Sequence, residues 1–410
     1  MRQGSIAGLQ LKRRSEGPFS AAWTRIQENH LKTSLTCSIR SLLGVAAGFA
    51  AASLAVTPPA AAASADSQTE GIKTSVFATG LNNPRGLKFG PDGDLYVAEG
   101  GLGGEKETTP KECAQVVAPT GPYTGSPTGA RISKINPHGE RETVVDHLPS
   151  SQTSPNVGSS ISGVSDVAFI GHRLYALIAG AGCSHGVAHT SNGVLRVRWD
   201  GMHEEIANLS EFYQTHPVEH PDIADFEPDG VPYSMVAAHD ALFVVEPNHG
   251  EIDRVARDGH ISRLIDISAT QGHIVPTAIV KEGCNFYVGS LGTFPIVHGS
   301  AKVLEINGKG EIRVVATGFE SIVGIAFDDR GRMYVLELIY NTPVPGQTSL
   351  GQIVRVTETG AQEVIVSKLP FPTAMTFGPN RNLYVSNNGV TPPGVTGAGQ
   401  ILKVEFEDKD

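Results

Sequence analysis

The sequence predicts an all-β fold, a six-bladed β-propeller with four antiparallel strands per blade and a ring closed by an N-terminal strand that joins the last blade. Three observations lead there. A single phrase recurs six times: a short apolar strand, a Gly or Asp turn, then an aromatic strand. The composition favours turns, with 47 Gly and 26 Pro, yet hydrophobic residues hold at 40%, enough for a packed core. Helical periodicity is absent after the first 65 residues, and strands that recur as a phrase describe radial blades rather than a sandwich.

Residues 1–65 read as a leader. Arg40 precedes the apolar run Leu42 to Val56, and the tract Ala61-Ala62-Ala63-Ser64-Ala65 supplies small residues for cleavage near Ala63 or Ala65. The run is short for a transmembrane helix. An uncleaved N-terminal anchor is the alternative, and part of the leader can reflect a misplaced start codon. Residues 66–410 then form one propeller, secreted or periplasmic. Loss of the leader removes seven basic and two acidic side chains, taking the formal charge from −10 to −15. An acidic surface repels phosphate backbones and anionic lipids, which argues against nucleic acid or membrane partners beyond the signal peptide. A monomer that meets a small molecule or a protein partner fits better.

The six copies run from Arg85–Phe89 to Leu95–Glu99, Ser165–Phe169 to Leu174–Leu177, and Tyr233–Val236 to Leu242–Glu246. They continue with Thr277–Val280 to Phe286–Gly289, Gly324–Phe327 to Met333–Glu337, and Thr373–Phe377 to Leu383–Asn387. Each is followed by an alternating third strand, such as Arg131–Ile135 or Ile401–Val404, and most by a fourth after a Gly turn. Lys73–Thr79 has the fourth-strand pattern but precedes the first blade, while the sixth blade stops after its third strand near Phe406. Joining the two removes the open sheet edges.

Several phrases resemble the ScyD/ScyE family of exported, NHL-like propellers. They are Leu81-Asn82-Asn83-Pro84-Arg85-Gly86-Leu87, Phe89-Gly90-Pro91-Asp92-Gly93, Thr120-Gly121-Pro122-Tyr123, Tyr287 to Pro295 and Phe371 to Pro379. The resemblance spans residues 72 to 405. It implies the propeller and export, and no general reaction comes with it.

In a propeller the loops after the second strands share a face with the connectors into the inner strands, so ligands usually meet the channel mouth there. Second strands end in Glu99, Ile178, Glu246, Ser290, Glu337 and Asn387, with Asn248 close behind. Glu99, Glu246, Glu337 and Asn387 offer hard oxygen donors of the kind Ca²⁺ or Mg²⁺ accepts. Gluconolactonase-like six-bladed propellers hold a catalytic metal at such a place. The bland alternative is that these side chains bond neighbouring backbone and water. Arg85, His249 and His273 complete the mouth candidates, since a histidine near neutral pH can move protons.

Cys113 and Cys183 fall in long loops of adjacent blades and are candidates for a disulfide, whereas Cys284, in a hairpin on the other face, is expected to be buried or free. Asp225 to Gly230 mimics the opening of a calcium loop but lacks its closing Glu, with Val236 at position twelve, and reads as a solvated acidic connector. His216 and His220 stand beside Pro217 and Pro221, which removes helical metal spacing. Two functions follow as expectations: an extracytoplasmic binding or scaffold propeller, or a metal-dependent, gluconolactonase-type hydrolase of lactones or esters at the same mouth. A purely structural exported repeat protein is the third.

Overall fold

The computed structural model describes residues 71–293, 295–340 and 350–407. The expected leader and its cleavage site lie outside these residues.

Strand β1 (Ile72–Leu81) is followed by blade 1, built from β2 (Pro84–Phe89), β3 (Leu95–Glu99), β4 (Thr124–Ile135), β5 (Arg141–Gln152) and the short β6 (Ile161–Ser162). Blade 2 comprises β7 (Val164–Ile170), β8 (Arg173–Ile178), β9 (Gly193–Val197) and β10 (His203–Asn208). Blade 3 comprises β11 (Ser234–Ala238), β12 (Ala241–Glu246), β13 (Glu251–Ala256) and β14 (Ile261–Asp266). Blade 4 comprises β15 (Pro276–Glu282), β16 (Asn285–Ser290), β17 (Ala301–Ile306) and β18 (Ile312–Phe319). Blade 5 comprises β19 (Ile322–Phe327), β20 (Met333–Glu337), β21 (Leu350–Val356) and β22 (Gln362–Pro370). Blade 6 holds β23 (Ala374–Phe377), β24 (Leu383–Asn387) and β25 (Gly399–Phe406), and takes β1 as its outer strand in the order β1-β25-β24-β23. The expected six blades and their closure are both observed.

Alternation along each strand sends side chains to opposite faces, so every blade is apolar on two sides and must be sandwiched. Along β3, Tyr96 and Ala98 pack towards blade 2 with Val167, Leu174 and Ala176, while Leu95 and Val97 pack towards blade 6 with Tyr384 and Ile401. The same division gives one apolar cluster between each adjacent pair of blades. The recurring aromatic of the second strand does specific work there. Tyr96 meets Phe169 of the next blade edge-on at 5.0 Å, Tyr334 meets Phe377 at 5.2 Å, and Tyr384 meets Phe89 at 5.0 Å. Such pairs add about 0.5–1.5 kcal/mol each beyond the area they bury.

Two short elements depart from the expectation of no helix. Leu209–Thr215 forms α1, capped by the Asn208 side chain, which accepts from the Glu211 amide; a second short helix, α2, spans Ser268–Gln271. Seven residues are two turns, too few for a periodic pattern to register in the sequence. Connections are unequal on the two faces. Where second strands end, they reach 24 residues (100–123), 14 (179–192) and 25 (209–233), whereas on the opposite face every hairpin turn has two to five.

Because β1 covers the β25 edge with register pairs from Ile72↔Phe406 to Leu81↔Gly399, deleting residues 72–81 is expected to expose an unpaired strand. The measurement is size-exclusion chromatography with thioflavin binding; the truncated chain should self-associate where the intact one does not.

Candidate functional site

The inner strands β2, β7, β11, β15, β19 and β23 surround the axis. Between them lies a cavity of about 40 Å³ lined by Arg85, Lys88, Ser165, Asp166, Tyr233 and Ser234 among others. That is room for two or three waters and not for an organic substrate. Tyr233, at the entry to β11, reaches across the axis and donates its hydroxyl to the Thr373 carbonyl at 3.0 Å, joining blade 3 to the opposite blade 6. Arg85 donates to the Gly389 and Ile161 carbonyls, each at 2.5 Å. Tyr233 therefore ties opposite blades across the channel, while Arg85 ties blade 1 to the adjacent blade 6.

Asp166 sits deeper, accepting from the backbone amides of Val167 and Met235 at 2.8 Å each. Burial pushes its carboxyl up to about 6, against the opposing pull of Lys88 and the two amides.

The carboxylates that end the second strands turn away from the axis. Glu99 accepts from the Asn82 amide at 2.6 Å, from Arg131 Nε at 2.8 Å and from the Ser133 hydroxyl. Glu337 accepts from the Glu320 amide at 2.8 Å and from Gln352 Nε2 at 2.6 Å. Glu246 accepts from the Val231 amide at 2.8 Å and the His249 amide at 2.5 Å. In each of these blades the carboxylate fastens the connector that leads into the inner strand, and all three are fully or almost fully buried. Burial raises the carboxyls of Glu246 and Glu337 above their ordinary value. Asn387 is likewise buried, and its Oδ1 has no hydrogen-bond partner among the described residues. Among those residues, no three His, Cys, Asp or Glu side chains are placed to hold a metal ion between them.

Polar side chains do converge at the mouth end of blades 1 to 3. His249 Nε2 pairs with the Glu227 carbonyl at 3.0 Å, and its ring is stacked on Phe226 at 4.9 Å with Tyr213 edge-on at 5.1 Å. Burial alone lowers an imidazole, but Glu246 and Glu251 outweigh it and push His249 up to about 9. The ring is thus a cation at neutral pH, held in place, and not a base poised to move protons. Asn248 Nδ2 donates to the Asp225 carbonyl at 3.0 Å. His273 Nε2 pairs with Asp225 Oδ2 at 2.8 Å; burial works against its charge, but Asp225 raises it overall.

Asp225 to Gly230 is not a solvated acidic connector. Glu227 and Asp229 are buried and act as anchors: Glu227 accepts from the Tyr123 hydroxyl at 2.6 Å, and Asp229 accepts from the Ser184 amide at 2.8 Å and its hydroxyl at 2.6 Å. His185, which no motif singles out, pairs with Ser151 Oγ at 2.9 Å through Nδ1 and stands 3.5 Å from Glu227 Oε2 through Nε2. Serine, histidine and glutamate in that order look like nucleophile, base and orienting acid. However, Ser151 and His185 are 0% exposed, so no substrate carbonyl can reach the hydroxyl, and the three serve as internal struts. Tyr123, in one of the phrases that carry the family resemblance, was the available pointer.

Cys113 and Cys183 are joined by a disulfide, with Cα atoms 6.2 Å apart. It ties the 100–123 loop of blade 1 to the 179–192 loop of blade 2, where the Thr108 hydroxyl also donates to the Cys183 carbonyl at 2.6 Å. Cys284 lies in the exposed turn between β15 and β16, which corrects the expectation of burial, and it is not a free thiol. Among the described residues no helix is long and apolar enough to cross a membrane.

The fold recurs among solved structures. A gluconolactonase from Xanthomonas campestris superposes with a TM-score of 0.50 at 11% identity, over 82% of this chain and 89% of that one. A structural-genomics protein of unknown function from Bacteroides thetaiotaomicron gives 0.50 at 11% identity, over 82% and 76%. Virginiamycin B lyase from Staphylococcus aureus gives 0.44 at 15% identity, over 82% and 99%. At such identities the likeness is one of fold alone. No family model and no curated protein sequence matches the chain.

Two tests follow from this geometry. Asp166 has a folded value near 6 against an ordinary 3.8, so its protonated form stabilises the fold below about pH 4, and that contribution is lost as pH rises through 6. Denaturant titrations at pH 4 and pH 7 should show the stability gap moving in favour of Asp166→Asn by up to about 3 kcal/mol at the higher pH. Replacing Cys113 and Cys183 together by Ser is expected to cost about 2–4 kcal/mol and to open residues 100–123 to protease. An unchanged melting curve and cleavage pattern would show that the loop is held without the bridge.

Proposed function

We propose that this chain is an exported binding propeller, related by resemblance to the ScyD/ScyE proteins, which presents the second-strand face to a small molecule or protein partner. The observation that supports this most is the asymmetry of its two ends. Long connections collect on one face and are braced from beneath by a disulfide and by buried polar contacts, whereas the other face has only tight hairpins. A loop already held in place loses little entropy on binding.

Five large apolar side chains are exposed in that face's loops: Val117, Val157, Ile223, Val297 and Val395. Exposed apolar side chains gathered on one end of a protein suit a contact surface better than an open polar cleft does. The narrow channel speaks for the rim rather than the axis as the place of contact. Export fits both the Cys113–Cys183 bridge and the leader pattern of residues 1–65. The gluconolactonase-type alternative requires the Glu99, Glu246 and Glu337 carboxylates to leave their present backbone partners.

Purified protein incubated with a panel of lactones and esters, with and without Ca²⁺ or Mg²⁺, is expected to remain inert. Metal-dependent turnover that disappears in Glu99→Gln, Glu246→Gln or Glu337→Gln would replace this reading with the hydrolase. For binding itself, immobilised protein should retain a ligand or partner from the producing cell's exterior. Ile223→Asp with Val297→Asp should reduce retention at least tenfold, whereas Trp199→Asp with Met202→Asp, on the opposite face, should not. Equal effects of the two pairs would remove the assigned face.

A further inference from the structure

Buried polar atoms nearly always have partners, so a group of exceptions in one place asks for an explanation. Four such atoms belong to three side chains beside blade 3: the Tyr213 hydroxyl, Glu251 Oε1 and both carboxylate oxygens of Asp253 have no hydrogen-bond partner among the described residues. Tyr213 is 1% exposed, Glu251 and Asp253 0%. Glu251 and Asp253 are two apart on β13 and therefore share a face of that strand. Tyr213, from α1, lies within electrostatic reach of Asp253, Glu246 and Glu251, in that order of strength.

The phenol is a donor, and none of these three carboxylates takes its proton. The groups act on one another electrostatically yet make no hydrogen bond to one another, which leaves a place for a further partner. Charge points to what fills it. Three carboxylates, Glu246, Glu251 and Asp253, meet at most two cations, Arg263 and His249. Arg263 Nε donates to Glu251 Oε2, and His249 Nδ1 stands 3.7 Å from Glu251 Oε1, beyond a hydrogen bond. Both Glu246 oxygens are committed to backbone amides. Asp253 has no hydrogen-bond partner among the described residues, and Arg263, opposite it in the β13–β14 register and bonded to Glu251, is a cation within its electrostatic reach.

We propose that Tyr213 Oη, Glu251 Oε1 and the Asp253 carboxylate hold an oxygen-ligated cation, of the Ca²⁺ or Na⁺ class, between α1 and β13. Oxygens that share such an ion sit about 2.3–2.6 Å from it and need not bond to one another, which accounts for buried oxygens without hydrogen-bond partners. The protein's ligands are two carboxylates and a phenol. Glu246 is not among them, so the site needs a donor outside the usual acidic and histidine set. The ion also offsets the excess of buried negative charge and fastens α1, and with it the 209–233 connector, to blade 3. The proposal is independent of whether the second-strand face binds anything.

The test is elemental analysis of the protein purified without chelator, with thermal melts in Ca²⁺, in Na⁺, in K⁺ and after EDTA. About one equivalent of bound Ca²⁺, or a melt that responds to Na⁺ and not K⁺, is expected, and saturation should raise the Tm by about 5 °C. Asp253→Asn, which keeps the shape and removes the charge, should lose the ion and the cation dependence. Tyr213→Phe should weaken binding at least tenfold and serves as the readout if Asp253→Asn does not fold. Retention of the ion in both variants, or a wild-type melt indifferent to every cation with Asp253→Asn melting at or above it, would overturn the proposal; the latter result means that the gap holds a proton or water.

Discussion

A single blade of this protein cannot be stable by itself. Its strands alternate apolar side chains to both faces, so each sheet needs a neighbour on either side, and only a closed ring supplies one to every blade. The pairing of β1 with β25 is the one sheet made from distant parts of the chain, and the clusters either side of blade 6 depend on it. Ring closure also fixes the inner strands at a separation that leaves room at the axis for only two or three waters. The geometry at the axis is therefore a consequence of packing at the blade faces.

Closing a ring leaves the connectors as the parts least constrained by sheet hydrogen bonds, and this chain restrains them with buried carboxylates. Glu99, Glu246 and Glu337 each take a backbone amide from the connector of their own blade, satisfying a donor that the ladder cannot reach. The chemistry that makes these residues attractive as metal ligands, two strong acceptor oxygens at a strand end, is the same chemistry that makes them good connector fasteners. What separates the roles is direction: here the oxygens are taken by the connectors and, for Glu99 and Glu337, by the third strand. A buried charge that accepts backbone and cross-strand hydrogen bonds is also costly to move, which sets a barrier against recruiting it for catalysis.

The fold was legible because its evidence is repetition. Six copies of one phrase specify the strand pattern and the blade number together, and a missing fourth strand at one end with a spare at the other specifies closure. The site was legible in composition but not in orientation. Sequence places Glu246 and His249 near the mouth, yet whether they point to the axis is decided by contacts with Val231, Glu227, Phe226 and Tyr213 from a connector with no repeat to compare it against. For the same reason Glu227 and Asp229 read as solvated acids: their partners Tyr123 and Ser184 are 104 and 45 residues away in blades 1 and 2. Only Cys113 and Cys183 stood out, because two cysteines in adjacent long loops have few other partners.

Those same non-repeating contacts distinguish this propeller from a generic ring. The second-strand end of blade 6 meets blade 1 through Ser386–Arg85 and Thr391–Asn83, and the loops of blades 1 and 2 and the 209–233 connector are joined by Tyr123–Glu227, Ser184–Asp229 and the disulfide into one braced region. Buried polar contacts contribute modest net stability, since much of what they gain is offset by lost hydration. Their larger effect is on uniqueness, because an alternative arrangement of the loops leaves several buried charges and hydroxyls unpaired at once. A fold that needed only stability could have covered this end with apolar side chains. Holding long loops in one conformation fits the recognition role proposed for this face, and the polar bracing concentrates where those loops are longest.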